Sequence, residues 1–311
     1  MEHEPVLLSE VIEGLHIQPK GIYLDLTIGR GGHASKIYEK LTTGKLIGFD
    51  QDASAITALQ PWLKDHPRAQ VFHENFVNVE SKLTALGIDQ VDGILLDLGV
   101  SSPQFDVPER GFSYRFNGPL DMRMDQRQKI TAATLLATRD IKSLTTMFRD
   151  YADETFAFPI AKAIVNTRTE KPLLTTYELV DLIKKVKPAK ALSKKGHPAK
   201  QVFQALRIAV NDEINMLKQT LASTVRLLKP SGRMAVISFH SGEDRIVKQW
   251  FQNLTVIEGS RRGLQVYLPN QPLAYAKVKP YPILPTQEEI SRNHRAESAV
   301  LRIIERKKDE E

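Results

Sequence analysis

The sequence predicts an α/β protein: a mostly parallel sheet flanked by helices and interrupted by a helical segment. Three observations predict it. Short apolar runs alternate with helix-like segments through the first hundred residues. The alternation stops after Ser101 and resumes near Lys200. A Gly-rich turn follows the first apolar run, where parallel sheets place their ligand loops.

Each element has its own signal. Ile22–Thr27 reads as a strand, then Gly29–Gly32 as a turn and Ala34–Leu41 as a helix. Leu46–Asp50 is a second strand, followed by a helix over Ala53–Leu63. Gln70–His73 is a third, and Val91–Asp97 a fourth that looks buried on both faces. Strand and helix alternating at this spacing imply right-handed βαβ units. The next stretch holds a loop over Asp106–Asp125 and helical segments near Ala132–Leu136, Ile141–Tyr151, Phe156–Thr167 and Tyr177–Lys185. Val202, Leu206, Val210, Ile214, Leu217, Leu221, Val225 and Leu228 form one apolar stripe, which predicts a single long helix ended by Pro230-Ser-Gly232. Arg233–Phe239 is a fifth strand and Ala299–Ile304 a late one. Residues 1–104 and 201–311 are therefore expected to form the sheet domain, and 105–200 a mostly helical insertion.

Composition narrows the class. The chain has 311 residues, 41% apolar and 26% charged, which excludes wholesale disorder, a collagen-like repeat and a coiled coil. No apolar run approaches the roughly 18 residues that span a bilayer, so no membrane association is expected. Met1–Pro5 lacks the basic start of a signal peptide. The absence of cysteine excludes disulfides and thiolate chemistry and fits a cytoplasmic protein. The net charge of +6 is mild, but eight Lys or Arg and no acid lie between Lys184 and Arg207. Solvated faces usually alternate in sign, so this stretch points to a polyanionic partner, with a plain basic surface as the alternative.

Four loops at the carboxyl edge of the sheet carry the chemistry. Gly29-Arg-Gly31-Gly32-His33-Ala34 fits the dinucleotide spelling G-x-G-x-x-A, although a turn needing positive φ explains it equally well. Asp50, ending the second strand, is placed to accept both hydroxyls of a ribose and would repel a 2′-phosphate; a helix cap is its other reading. Phe76 stands where an aromatic covers an adenine, or else packs in the core. Asp97 ends a buried strand, so its carboxylate needs donors, and Ser101–Gln104 beyond it clusters acceptors suited to an exocyclic amine. Ser102 and Pro103 are the candidate acceptors. His33, His197 and His240 lack the close spacing of metal ligands, so no metal is expected.

At these loops the sequence closely resembles the ribosomal RNA small subunit methyltransferase H, or MraW, family. The resemblance rests on Asp25–His33, Asp92–Gln104, Glu109–Tyr114, Gly118–Asp125, His197–Ala199 with Phe203–Ile208, and Ile237–Arg245, and runs from Pro5 to about Arg306. It implies a class I S-adenosylmethionine-dependent methyltransferase fold with a helical insertion. The implied reaction methylates N4 of a cytidine in the decoding region of 16S ribosomal RNA, with the small ribosomal subunit as partner. It assigns cofactor contacts to Gly31, Gly32, His33, Asp50, Phe76, Asp97 and Gln104. Arg110, Lys194, Lys195, His197, Lys200 and His240 are the candidates for touching RNA. Leu26, Ala34 and Gly242 depart from the residues more usual in the family. A nicotinamide oxidoreductase, suggested by the glycine spelling alone, and a non-catalytic RNA-binding protein are the competing readings.

Overall fold

The computed structural model describes residues 5–193, 195–255 and 274–308. The chain divides into two compact units, residues 1–99 with 215–311, and residues 100–214.

The first unit is built on a seven-stranded sheet. Its strands are β1 (Ile22–Asp25), β2 (Lys45–Asp50), β3 (Ala69–His73), β4 (Val91–Asp97), β5 (Leu228–Ser238), β6 (Tyr275–Lys277) and β7 (Val300–Arg306), in the order β3-β2-β1-β4-β5-β7-β6. The first five in that order run parallel, and β7 is antiparallel to both β5 and β6. This is a Rossmann-like, class I arrangement. Its helices are α1 (Leu8–Leu15), α2 (Gly32–Lys40), α3 (Ala53–Asp65) and α4 (Val79–Ala85), with α12–α14 named below.

Both faces of the sheet are apolar. On β4, Ile94 and Leu96 enter one core and Leu95 the other; on β5, Met234 and Val236 oppose Ala235 and Ile237. That period of two on a doubly buried strand produces the unbroken apolar runs seen in the sequence. The departures Leu26 and Ala34 are fully buried members of these cores.

The second unit is helical: α5 (Ser102–Asp106), α6 (Ala132–Thr138), α7 (Ile141–Ala152), α8 (Ala157–Glu170), α9 (Thr176–Val186), α10 (Ala189–Leu192) and α11 (Lys200–Val210). Its core draws on Leu144, Phe148, Ile160, Ile164, Leu179, Ile183 and Leu206.

Three features differ from the sequence expectation. The single long helix is two, α11 and α12 (Glu213–Thr224), parted at Asn211-Asp212, where Asp212 takes φ 49°. The apolar period runs through the break, but Val202, Leu206 and Val210 pack in the helical core while Leu217, Leu221 and Val225 pack under the sheet. The unit boundaries therefore fall at 99/100 and 214/215 rather than at 104 and 200, because α5 and α11 belong with the helices. Pro230-Ser-Gly232 does not end a helix. It is an irregularity inside β5, where the pairing with β4 jumps from Val91–Leu228 to Gly93–Arg233. The remaining helices are α13 (Ser241–Thr255) and α14 (Gln287–Arg292). No described helix is long and apolar enough to cross a membrane.

Candidate functional site

The strand order reverses between β1 and β4, the place where open parallel sheets bind ligands beyond their carboxyl ends. Asp25 and Asp97 end these neighbouring strands. Thr27 joins them, since its hydroxyl accepts the Asp97 N–H at 2.6 Å. Beside them Gly29 holds φ 52° and donates its N–H to Asp50 Oδ2 at 2.9 Å. Asp50 Oδ1 accepts the Asp52 N–H at 2.8 Å. The carboxylate is thus held by both oxygens, each keeping a lone pair for a further donor. The cap of α3 is Asp52, whose side chain accepts from Ser54, so the capping reading belongs to Asp52 and not Asp50. Gly31, at φ 83°, is the N-cap residue of α2, and a Cβ on it would approach Leu59 to 2.8 Å. Gly32 has a packing reason of its own: a Cβ there would meet Pro5 at 2.5 Å. Phe76 is half-buried in a short turn after β3, packed against the core under the sheet.

His33 is buried and held in one tautomer. Its Nε2 lies 3.0 Å from the Val6 carbonyl, which can only accept, so Nε2 carries the proton. Burial pushes the ring's pKa down to about 4, leaving Nδ1 bare and facing Asp97 Oδ2 at 3.6 Å. Two acceptors face each other unless Asp97 is protonated. Burial raises Asp97 to about 8, with Asp25 and Glu243 adding like-charge repulsion. Asp25 is raised to about 7 and Asp50 to about 6, chiefly by burial. Asp97 Oδ1 is buried and has no hydrogen-bond partner among the described residues. A pocket edge of this kind suits a cationic, ribose-bearing molecule: Asp50 for hydroxyls, the Gly29–Gly31 backbone for close approach, Asp97 for positive charge.

Glu243 and Thr27 are the site residues that the sequence reading passed over. Glu243 is buried in the first turn of α13 and accepts the Phe239 N–H at 2.9 Å. The run His240-Ser-Gly-Glu243 has capping-box spacing, which is the signal that could have found it. That turn also occupies His240. Its Nδ1 faces the N–H groups of Gly242 and Glu243 at 3.2 and 3.4 Å, and its Nε2 lies 3.2 Å from Glu243 Oε1. His240 is therefore a helix cap at the end of β5.

The other predicted residues lie in the helical unit. Ser102, Pro103 and Gln104 are not in a loop but in α5, which they begin. Gln104 is buried and its Oε1 accepts the Ser101 N–H at 3.0 Å. The Pro103 carbonyl already accepts the Val107 N–H at 3.1 Å, and Ser102 is buried. Arg110 is buried too, with Nη2 donating to the carbonyls of Arg123 and Met124 at 2.8 and 3.2 Å. It braces a loop that Asn211 holds from the other side, accepting the Met124 N–H and donating to Met122. Arg110, expected to reach RNA, is here buried with its guanidinium engaged by backbone. Lys195 and Lys200 are exposed and His197 half-buried, whereas Lys194 lies outside the described residues.

Comparison with known proteins supplies what geometry alone does not. The model of the MraW methylase family matches residues 1–307. A Lactobacillus johnsonii protein named Ribosomal RNA small subunit methyltransferase H is 45% identical, covering 98% of this chain and 99% of its own. A Mesoplasma florum protein of the same name is 47% identical over 98% and 99%. Among solved structures, an rRNA methylase from Streptococcus thermophilus is 10% identical with a TM-score of 0.40, covering 99% of both chains. The protein is thus an S-adenosylmethionine-dependent methyltransferase, and the oxidoreductase reading of its glycine turn falls away. Identity at this level along almost the whole length goes one step further. The chain belongs to the MraW methylase family.

Proposed function

We propose that this protein methylates N4 of a cytidine in the decoding region of 16S ribosomal RNA, in the cytoplasm and on RNA held in the small ribosomal subunit. The observation that carries the reading is 45–47% identity over 98% of the chain to proteins named Ribosomal RNA small subunit methyltransferase H. Bound S-adenosylmethionine would supply an electrophilic methyl on a sulfonium: in one in-line step the S–C bond breaks as the N–C bond forms, S-adenosylhomocysteine leaves, and N4 gives up one proton to water, without a covalent enzyme intermediate. The protein's part is to bind and orient. Asp50 holds the ribose, Phe76 covers the adenine, and Gly31, Gly32 and His33 border the pocket. Asp97 stabilises positive charge beside the reacting sulfur.

The target nitrogen is a poor nucleophile because its lone pair is delocalised into the ring. Acceptors that grip its N–H bonds favour the pyramidal form and stabilise charge as it develops. Ser102 remains the better such acceptor, since the Pro103 carbonyl is engaged within α5. Gln104 contributes to the cofactor side by its place in the chain soon after Asp97. Lys195, Lys200 and Lys194 bind RNA phosphates.

The test uses purified protein, S-adenosylmethionine with a labelled methyl, and small subunits or free 16S RNA from cells lacking the gene. Mass spectrometry of the digested RNA should find N4-methylcytidine in the decoding region. Label on another atom or another nucleotide, or none on either substrate, overturns the proposal.

A further inference from the structure

The sequence motif His197-Pro-Ala199 falls in the helical unit, between α10 and α11, and the reaction scheme does not absorb it. The ring of Tyr114 stacks on His197, with centroids 4.2 Å apart and planes 7° from parallel. Tyr114 meets Phe203 edge-on at 5.7 Å, and Phe203 is buried on α11. Three aromatic rings thus lead outward from the helical core, with half-buried His197 at the end. Among the described residues Tyr114 is the only ring stacked on it.

The turn that carries His197 is rigid. Its Nδ1 accepts the Ala199 N–H at 3.2 Å, so the proton of the neutral ring is on Nε2. The Pro198 carbonyl accepts from Lys187 Nζ at 2.7 Å. Lys187 is in turn fixed by a buried ion pair with Glu154 at 2.6 Å. Burial first, and then Lys184, Arg115 and Lys187, hold the imidazole below its ordinary pKa, so it stays uncharged near neutrality. Lys184 and Arg115 are exposed, and neither has an acidic partner among the described residues. An uncharged ring, rigidly presented and acted on by the exposed cations Lys184 and Arg115, matches the chemistry of a nucleotide: a flat base with a phosphate on each side.

We propose that His197, backed by Tyr114, is a stacking platform for an unpaired base of the RNA substrate, with Lys184 and Arg115 holding the adjoining phosphates. The inference rests on the RNA-methyltransferase reading and adds how one nucleotide is held. Stacking uses the face of the base, so the platform contributes affinity more than sequence choice.

The experiment measures binding of a single-stranded 16S decoding-region oligonucleotide carrying 2-aminopurine, by anisotropy and by fluorescence quenching, at two salt concentrations. His197→Ala should weaken binding about tenfold and relieve the quenching. His197→Phe, which keeps a ring, should stay within about twofold of wild type. His197→Gln, which keeps a donor and loses the ring, should behave like alanine. None should change the salt slope, because an uncharged ring releases no counterion, whereas Lys184→Ala should lower it by about one. Should His197→Ala fold poorly, the phenylalanine and glutamine variants decide alone. Wild-type affinity in His197→Ala, or full rescue by glutamine with none by phenylalanine, overturns the platform. If wild-type protein bound no RNA, the RNA-methyltransferase reading itself would fail. Loss of binding on reversing Lys195 and Lys200, with His197→Ala unaffected, would sink the platform alone.

Discussion

The carboxyl edge of the sheet and the His197 region of the helical unit are electrostatic opposites. At the first, burial raises the carboxyls of Asp25, Asp50 and Asp97, and the charges of Asp25 and Glu243 add to the effect at Asp97. At the second, eight basic residues from Lys184 to Arg207 meet no acid in sequence. The net charge of +6 averages these regions and conceals both. The lesson is that one chain can be built for two oppositely charged ligands. A small cation is drawn by buried carboxylates such as Asp97, and a polyanion by exposed lysines such as Lys195 and Lys200.

The largest expected effect comes from removing the charge at the acid edge. Asp97→Asn keeps the shape and should lower single-turnover methylation about a hundredfold, with weaker cofactor binding as well. It also changes the pH dependence. In the ligand-free protein Asp97 holds its proton until about pH 8. A cationic ligand favours the ionised carboxylate, so binding releases a proton. Cofactor affinity should rise as pH climbs from 6 to 8 and level off beyond. Ligand-free stability should move the opposite way. A carboxyl raised from 3.8 to about 8 on folding contributes its full stability below about pH 4 and loses it as pH rises through 8. Calorimetry in buffers of different ionisation enthalpy reads the proton. An affinity that stays flat from pH 6 to 9, or an unchanged slope in Asp97→Asn, would remove Asp97 from this role.

Asp50→Ala comes next, with cofactor affinity down about tenfold or more, since bonds to a charged acceptor are worth roughly 1.5–3 kcal/mol. RNA affinity should hold, because the change lies wholly at the acid edge. Equal cofactor affinity by calorimetry would assign Asp50 to organising the Gly29 turn and nothing more. The converse variant reverses Lys195 and Lys200. RNA binding should weaken severalfold at moderate salt and its salt slope fall by about one to two, with cofactor affinity unmoved. An unchanged slope would make the basic stretch an ordinary solvated face.

Much of this was legible in the sequence, for identifiable reasons. β4 was read at its observed limits because a strand buried on both faces is an unbroken apolar run closed by Asp97. The α11–α12 break was not legible. An apolar period of three and four continues across Asn211-Asp212 even though its two halves serve different cores. Edge strand β6 is three half-buried residues with no run to detect. At the site, the positions of Asp50 and Asp97 followed from strand ends, but the partners of His33 did not. Val6 and Asp97 reach it from distant parts of the chain. Nor does a residue type declare its engagement: His240 and Arg110 look like RNA ligands in sequence and are taken up by backbone in the fold.

Arg110 provides the smallest expected effect and the sharpest check on the contrast between the two regions. If cationic character alone made an RNA contact, Arg110 would count with Lys195 and Lys200. The residue is instead 9% exposed, and its guanidinium donates to the carbonyls of Arg123 and Met124. Such a group displaces no counterion on binding, so its removal should leave the RNA salt slope where it was. What it should cost is stability. Arg110→Ala leaves two carbonyls in need of partners, each worth about 1–3 kcal/mol when buried, and opens space beside Phe112. Arg110→Met refills the space without the donors, so it separates packing from hydrogen bonding. Both variants should melt earlier than wild type, alanine first, and at a temperature where both are folded their salt slopes should match wild type. A slope lower by about one in Arg110→Met would place this side chain on a phosphate after all. The basic surface would then extend to residues that the ligand-free fold keeps buried.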